Sequence, residues 1–189
     1  MSRVIIDEID RMNRIVEELL LLARSERPGF LTMEPVKVAE LIDDVHRRAS
    51  VLCSRTWIAG PHPAATLTAD RQLLTQALLQ LAQNVCQHTP EGTTARIGAS
   101  LEGSGRVVLW IEDDGPGVPP EQASRVFERF AKGSEWSEGS GLGLSIVAAI
   151  AEAHGGEARL VTPGPKGARF QISVPIRVAT VLEVPTPVG

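Results

Sequence analysis

Apolar residues at Ile5, Ile9, Met12, Val16, Leu19 and Ala23 recur in alternating steps of four and three, which predicts an amphipathic helix over 2–27 with a heptad seam. Ile15, Leu20 and Leu22 broaden that seam past a two-stranded stripe. A helix packed against several neighbours, as in a four-helix bundle, fits better, and such a helix cannot hide its apolar face alone. Pro28 and Gly29 end it, and residues 28–35 read as a linker.

From Val36 the pattern alternates helices and strands. It predicts a helix over 38–55, a short strand over 65–68 and a long amphipathic helix over 70–87. Two β-rich runs, 94–101 and 106–112, flank Gly103, Ser104 and Gly105, a hairpin turn. A Gly/Pro loop, a short helix near 121–127, a polar stretch and a helix over 144–153 come next. Runs 157–162 and 168–174 close the pattern as a second hairpin. Hairpins with helices bunched between them argue for an α+β sandwich over 36–175. The tail 176–189 has no clear period and reads as disordered.

Composition narrows the function classes. The 189 residues carry a net charge of −4 with no basic cluster, so nothing draws the chain to nucleic acid. No apolar run approaches the ~18 to 20 residues that span a bilayer, and the expected location of the chain as given is the cytoplasm. Cys53 and Cys86 each fall in a segment read as helix, without metal-ligand spacing to another Cys or His, and read as reduced packing residues.

Three segments carry candidate chemistry. On the long helix, Gln80, Asn84, Gln87 and His88 share one stripe, while Leu74, Ala77, Leu78, Leu81 and Val85 face a core. Such a stripe is usually a solvated face, but an Asn carbonyl also suits Mg²⁺ beside a polyphosphate. The run 111–118 ends a strand with Asp113, Gly115 and Gly117. Glycines there let the backbone approach a flat ligand, and the carboxylate can accept from an exocyclic amine; a plain turn or a calcium loop is the alternative, an EF-hand being excluded by the missing ligand alternation. The run Ser140, Gly141, Leu142, Gly143 and Leu144 precedes a helix, where free N–H groups and the helix dipole suit an anion. It lacks the Lys-Ser or Lys-Thr of a Walker loop.

Taken in order, the Asn84 helix, Asp113-x-Gly115-x-Gly117, Phe127-Glu128-Arg129-Phe130, Gly141-Leu142-Gly143-Leu144, and His154-Gly155-Gly156 leading to Gly167-Ala168-Arg169-Phe170 resemble the catalytic ATP-binding domain of sensor histidine kinases. The resemblance covers about 36–175 and implies the GHKL, or Bergerat, two-layer sandwich shared with gyrase, Hsp90 and MutL. The first helix, through Arg11-Met12 and 15–24, resembles the second helix of the kinase dimerisation bundle, which gyrase-type ATPases lack. Family kinases carry the phosphoacceptor His, followed by an acid, on a preceding helix. None of His46, His62, His88 and His154 has that setting.

By resemblance, Asp113 would bind the adenine amine and Asn84 would hold Mg²⁺. Gln87, His88, Ser140 and the 141–144 backbone would line the nucleotide. Arg129 and Lys132 would supply positive charge, and 131–138 would form a lid. The implied activity is transfer of the ATP γ-phosphate to a histidine on a separate helix or chain. The implied partners are a His-bearing bundle, a second copy in an intact dimeric kinase, and a response regulator. Membrane anchoring would come through a missing N-terminal region. Gln80 stands where hydrolytic relatives place a water-activating Glu, and Gln cannot accept that proton. Gln87 and Glu138 replace residues that favour ATP, which leaves a non-catalytic nucleotide-binding or dimerisation module as the alternative. A Ser/Thr kinase or ATPase of the same fold is a third reading, opposed by the first helix.

Overall fold

The computed structural model describes residues 2–103, 105–130, 140–161 and 166–176. Helix α1, Ser2–Ser25, sends Leu22 into the core and rests Ile15 against it, while Ile9, Met12, Val16 and Leu19 face solvent. From Ile9 to Leu19 its heptad seam is therefore uncovered. Strand β1, Glu34–Lys37, begins just before the expected end of the linker and leads directly into helix α2, Val38–Ala49.

The expected helix over 38–55 stops at Ala49. The Ser50 hydroxyl and N–H both bond the His46 carbonyl, and Val51 and Leu52 stay exposed with no apolar face to bury. Strand β2, Thr56–Ala59, follows, a four-residue piece whose β-branched and aromatic residues suit a sheet edge. This early stop overturns the reading of the cysteines. Cys53 lies in a turn folded back on the long helix and is disulfide-bonded to Cys86, with Cα atoms 6.0 Å apart.

Strand β3, Thr66–Ala69, pairs antiparallel with β1. Helix α3, Arg71–His88, is capped by Asp70, whose Oδ1 accepts from the Leu73 N–H at 3.0 Å and whose Oδ2 accepts from the Thr32 N–H at 2.8 Å. Such a cap contributes about 1 kcal/mol. Strands β4, Thr94–Glu102, and β5, Arg106–Asp113, form the first expected hairpin. The short helix α4, Pro120–Ala123, helix α5, Gly143–Ala153, and strands β6, Glu157–Leu160, and β7, Ala168–Pro175, complete the chain order.

The main sheet runs β2-β4-β5-β7-β6, with β2 parallel to β4 and the other pairs antiparallel. Alternation on the strands turns Ile97, Leu109, Ile111, Phe170 and Ile172 toward Leu41, Leu78, Ile146 and Ile150 of the helices. Helices on one face of a mixed sheet make the two-layer α+β sandwich. His154 ties the layer together at 1 % exposure: Nδ1 donates to the Ile150 carbonyl at 2.7 Å, and Nε2 accepts from the Asp70 N–H at 3.0 Å. The end of α5 and the start of α3 are thereby joined. A Cβ on the nearby Gly156 would collide with the Ser173 carbonyl, so the chain can pass there only as glycine.

Candidate functional site

The polar stripe of α3 lies between two glycine loops. At one end a Cβ on Gly143 would sit 2.8 Å from Gln80 Oε1, so the amide of Gln80 presses on the 140–144 loop. At the other end a Cβ on Gly115 would sit 2.7 Å from Thr89 Cγ2 and 2.8 Å from Asp113 Oδ1. Asn84, half-buried, falls midway. At ~1.5 Å per residue, positions 80 to 88 set the two loops roughly 12 Å apart along the helix. Gln87 and His88 are exposed beside Asn84. Desolvation holds the His88 imidazole below its ordinary value even though the residue reaches solvent.

Asp113 ends β5 between Ala95 and Ala168 and is 7 % exposed. Its Oδ1 accepts from the Gly115 N–H at 2.9 Å. Burial raises its carboxyl above the usual aspartate range, and the charges of Asp114 and Glu112 add to the rise. Backbone N–H bonds from Gly115 and Ala168 oppose it. Gly167 closes the loop from outside: its N–H bonds the Gly115 carbonyl at 2.7 Å, and its φ of 70° excludes a side chain. Gly117, with φ of 78°, completes the turn. Asp114 points elsewhere, accepting from the Thr94 N–H at 2.8 Å.

In the second loop, Gly141 adopts φ of 71° and Leu142 is fully buried, which plants the first turn of α5 in the core. Gly143 and Leu144 start the helix half-buried. The Ser140 hydroxyl accepts from the Leu142 N–H at 3.2 Å and donates to Glu18 Oε2 of α1 at 2.6 Å. Phe130, at φ of 62°, bonds the Gly141 carbonyl through its N–H, and Phe127 packs edge-on against Phe170. Arg129 pairs with Glu26 at 3.4 Å, both largely exposed. Lys132, Glu138 and the expected lid lie outside the described residues.

Sequence patterns alone did not reveal Thr89, Gly167's bond to Gly115, or Glu18. Thr89 carries the readable signal of a β-branched residue just past the helix end. Glu18 carries none, since its partner is 122 residues away.

A buried strand-end carboxylate, a glycine loop and a helix-start glycine loop, set along one helix of an α+β sandwich, define a nucleotide-binding module. Residues 69–178 match the family of histidine kinase-, DNA gyrase B- and HSP90-like ATPases, and the chain belongs to it. Among curated relatives, the probable sensor histidine kinase TcrY of Mycobacterium tuberculosis is 36 % identical over 182 residues, 93 % of this chain and 38 % of that protein. The sensor histidine kinase ZraS of Salmonella typhimurium is 31 % identical over 180 residues, again 93 % and 38 %. The chain thus spans about two fifths of these relatives. Among solved structures, the mycobacterial sensor histidine kinase MprB aligns at TM-score 0.65 and 31 % identity, over 77 % of this chain and 99 % of that one. The kinase ShkA in complex with AMPPNP aligns at 0.75 and 30 %, over 92 % and 37 %. These likenesses identify a histidine kinase ATP-binding domain, with a helix before it.

Proposed function

We propose that this chain binds Mg²⁺-ATP and donates the γ-phosphoryl group to a histidine carried by a separate helix or chain. The observation that carries the reading is the α3 stripe, with Gln80 against one glycine loop, Thr89 against the other, and Asn84 between them. Asp113 would accept from the adenine amine, inside a cradle that a Cβ at Gly115 would fill. The start of α5 would receive phosphate oxygens on its N–H groups, helped by the helix dipole. Gln87, His88, Arg129 and Lys132 would line or approach the polyphosphate.

A magnesium ion, when bound, would neutralise phosphate charge. Asn84 offers it one hard oxygen ligand, which suits an ion that takes its other ligands from phosphate and water. Among the described residues no group of three or more His, Cys, Asp or Glu gathers as a cage. The chain's own contribution to the chemistry is positioning and charge stabilisation. Gln80 holds no base for water, so the site favours transfer to an outside nucleophile over hydrolysis.

A response regulator would take the phosphoryl group onward. The uncovered seam of α1 would meet the His-bearing bundle, and a second copy in the intact kinase. No described helix is long and apolar enough to cross a membrane. The module would work in the cytoplasm, with any membrane anchor supplied by another part of the protein. Calorimetry with a non-hydrolysable ATP analogue tests the binding. Incubation with γ-labelled ATP and a supplied His-bearing bundle tests transfer, with acid-labile label on the bundle expected. Analogue binding without any label on cognate bundles would leave a nucleotide-binding module and overturn the kinase reading.

A further inference from the structure

Outside the nucleotide groove, the largest concentration of unused chemistry is at the C-terminal end of α3. Cys53 and Cys86 are joined there, and both residues are partly exposed. Beside them Arg55 grips the same helix end. Its Nε donates to Thr89 Oγ1 at 3.1 Å, and its Nη2 donates to the carbonyls of Cys86, at 3.2 Å, and Thr89. Thr89 in turn bonds the Val85 carbonyl at 2.7 Å and lays its methyl against Gly115, whose N–H holds Asp113. One continuous set of contacts therefore runs from the disulfide to the carboxylate that faces the adenine.

We infer that Cys53 and Cys86 form a reversible thiol–disulfide site whose oxidised state orders the last turn of α3 and the Asp113–Gly117 loop, and so strengthens nucleotide binding. The link to nucleotide rests on the ATP reading above. A structural staple is the competing role. It is disfavoured because the fold buries a continuous apolar core across both layers and is not one of the small core-poor scaffolds that depend on disulfides. The segment the bond tethers is peripheral, with Val51 83 % exposed and Leu52 42 % exposed. Where low-molecular-weight thiols keep proteins reduced, persistent disulfides are uncommon and exposed ones tend to be redox-active.

The exchange balances with two glutathione molecules. The first, as thiolate, attacks one Sγ, forms a mixed disulfide and releases the other cysteine, which takes a proton. The second attacks the glutathione sulfur of the mixed disulfide, releases the remaining cysteine as a thiol, and leaves with the first as glutathione disulfide. The protein gains two electrons and two protons. After reduction the bonds of Arg55 to Cys86 and Thr89 remain to hold the 50–55 segment on α3.

The test compares two states of the wild-type chain, so no variant has to fold. The chain is equilibrated across reduced-to-oxidised glutathione ratios, thiols are trapped by alkylation, and peptides are assigned by mass spectrometry. Hydrogen exchange is followed across 85–117, and affinity for a non-hydrolysable ATP analogue with Mg²⁺ is measured in both states. Expected are a reversible transition within the glutathione range, faster exchange at Thr89 and Gly115 on reduction, and a loss of affinity of about fivefold or more. A C53S/C86S double variant should resemble the reduced chain and ignore glutathione. A pair that never oxidises, one that resists reduction throughout, or two states alike in exchange would each overturn the inference, as would equal affinities. If neither state binds the analogue but exchange differs, the ATP reading falls and the thiol site stands.

Discussion

Two neighbouring carboxylates receive different bonds: the Gly115 amide donates to Asp113, which is buried, and the Thr94 amide donates to Asp114, which is exposed. Asp113→Asn replaces a desolvated carboxylate with a neutral amide of the same shape. It should lower ATP-analogue affinity about tenfold or more, since a charge-assisted bond to the base is worth roughly 1.5–3 kcal/mol, while leaving the melting temperature equal or higher. Asp114→Ala should do the reverse, losing about 1 kcal/mol of stability with the Thr94 bond and little affinity. Calorimetry and thermal melts on both variants check this, and equal affinity losses would sink the assignment of Asp113. The raised carboxyl of Asp113 also sets a pH dependence. Folding stability from this group is fully present below the ordinary aspartate value and is lost as pH rises through the window up to its raised native value. Nucleotide affinity runs the other way, because only the ionised form is a full acceptor. Affinity measured on lowering the pH should begin to fall above the range of an ordinary aspartate, and a fall confined to that range would place the adenine contact elsewhere.

Helix α1 meets the rest of the fold through Leu22, Ile15 and the Glu18–Ser140 bond, and leaves Ile9, Met12, Val16 and Leu19 in solvent. An apolar stripe of that length marks an interface. Replacing Met12 and Val16 with Asp should abolish self-association and binding to a His-bearing bundle. ATP-analogue affinity should stay near that of the parent, because both side chains are largely exposed to solvent. Sedimentation with nucleotide titration reads both effects, and a monomeric parent that ignores the bundle would leave α1 without a partner. The helix was legible from spacing because its seam repeats over five steps, and α3, α5 and the β4–β5 hairpin were legible for the same reason of length. Strands β1 and β2 were not: β1 carries Pro35 within a stretch that reads as linker, and β2 follows directly on residues 50–55, which read as a continuation of α2. The site's glycine boxes were legible in order. The contacts of Thr89 with Gly115 and of Ser140 with Glu18 were not, because each joins segments far apart in sequence. The disulfide was missed for that reason too: its cysteines are 33 residues apart, and only the early stop of α2 brings them together.

At the scale of the molecule, the sandwich holds the two glycine loops at opposite ends of one helical stripe and fixes that helix at both ends. Asp70 and His154 lock the start of α3 to α5, and Cys53 and Arg55 lock its last turn. None of the four histidines is followed by an acid, and three of them are held through one or both ring nitrogens. His154 is buried with both ring nitrogens bonded, His46 Nε2 lies 3.3 Å from the Trp57 carbonyl, and His62 Nδ1 lies 3.2 Å from the Gly60 carbonyl. His88 stands beside the groove, but its neighbour Thr89 is committed to Val85 and Arg55, and no adjacent acid is present to take a proton. A phosphoryl acceptor needs a nitrogen free to attack in line and a base beside it. The isolated chain should therefore remain unlabelled on histidine after incubation with γ-labelled ATP and Mg²⁺, even at saturating nucleotide. Adding a His-bearing bundle should place acid-labile label on that bundle alone. Label on His88 in the isolated chain would mean that a residue lining the site serves as its own acceptor, and His88→Gln would then have to remove the label without removing nucleotide binding.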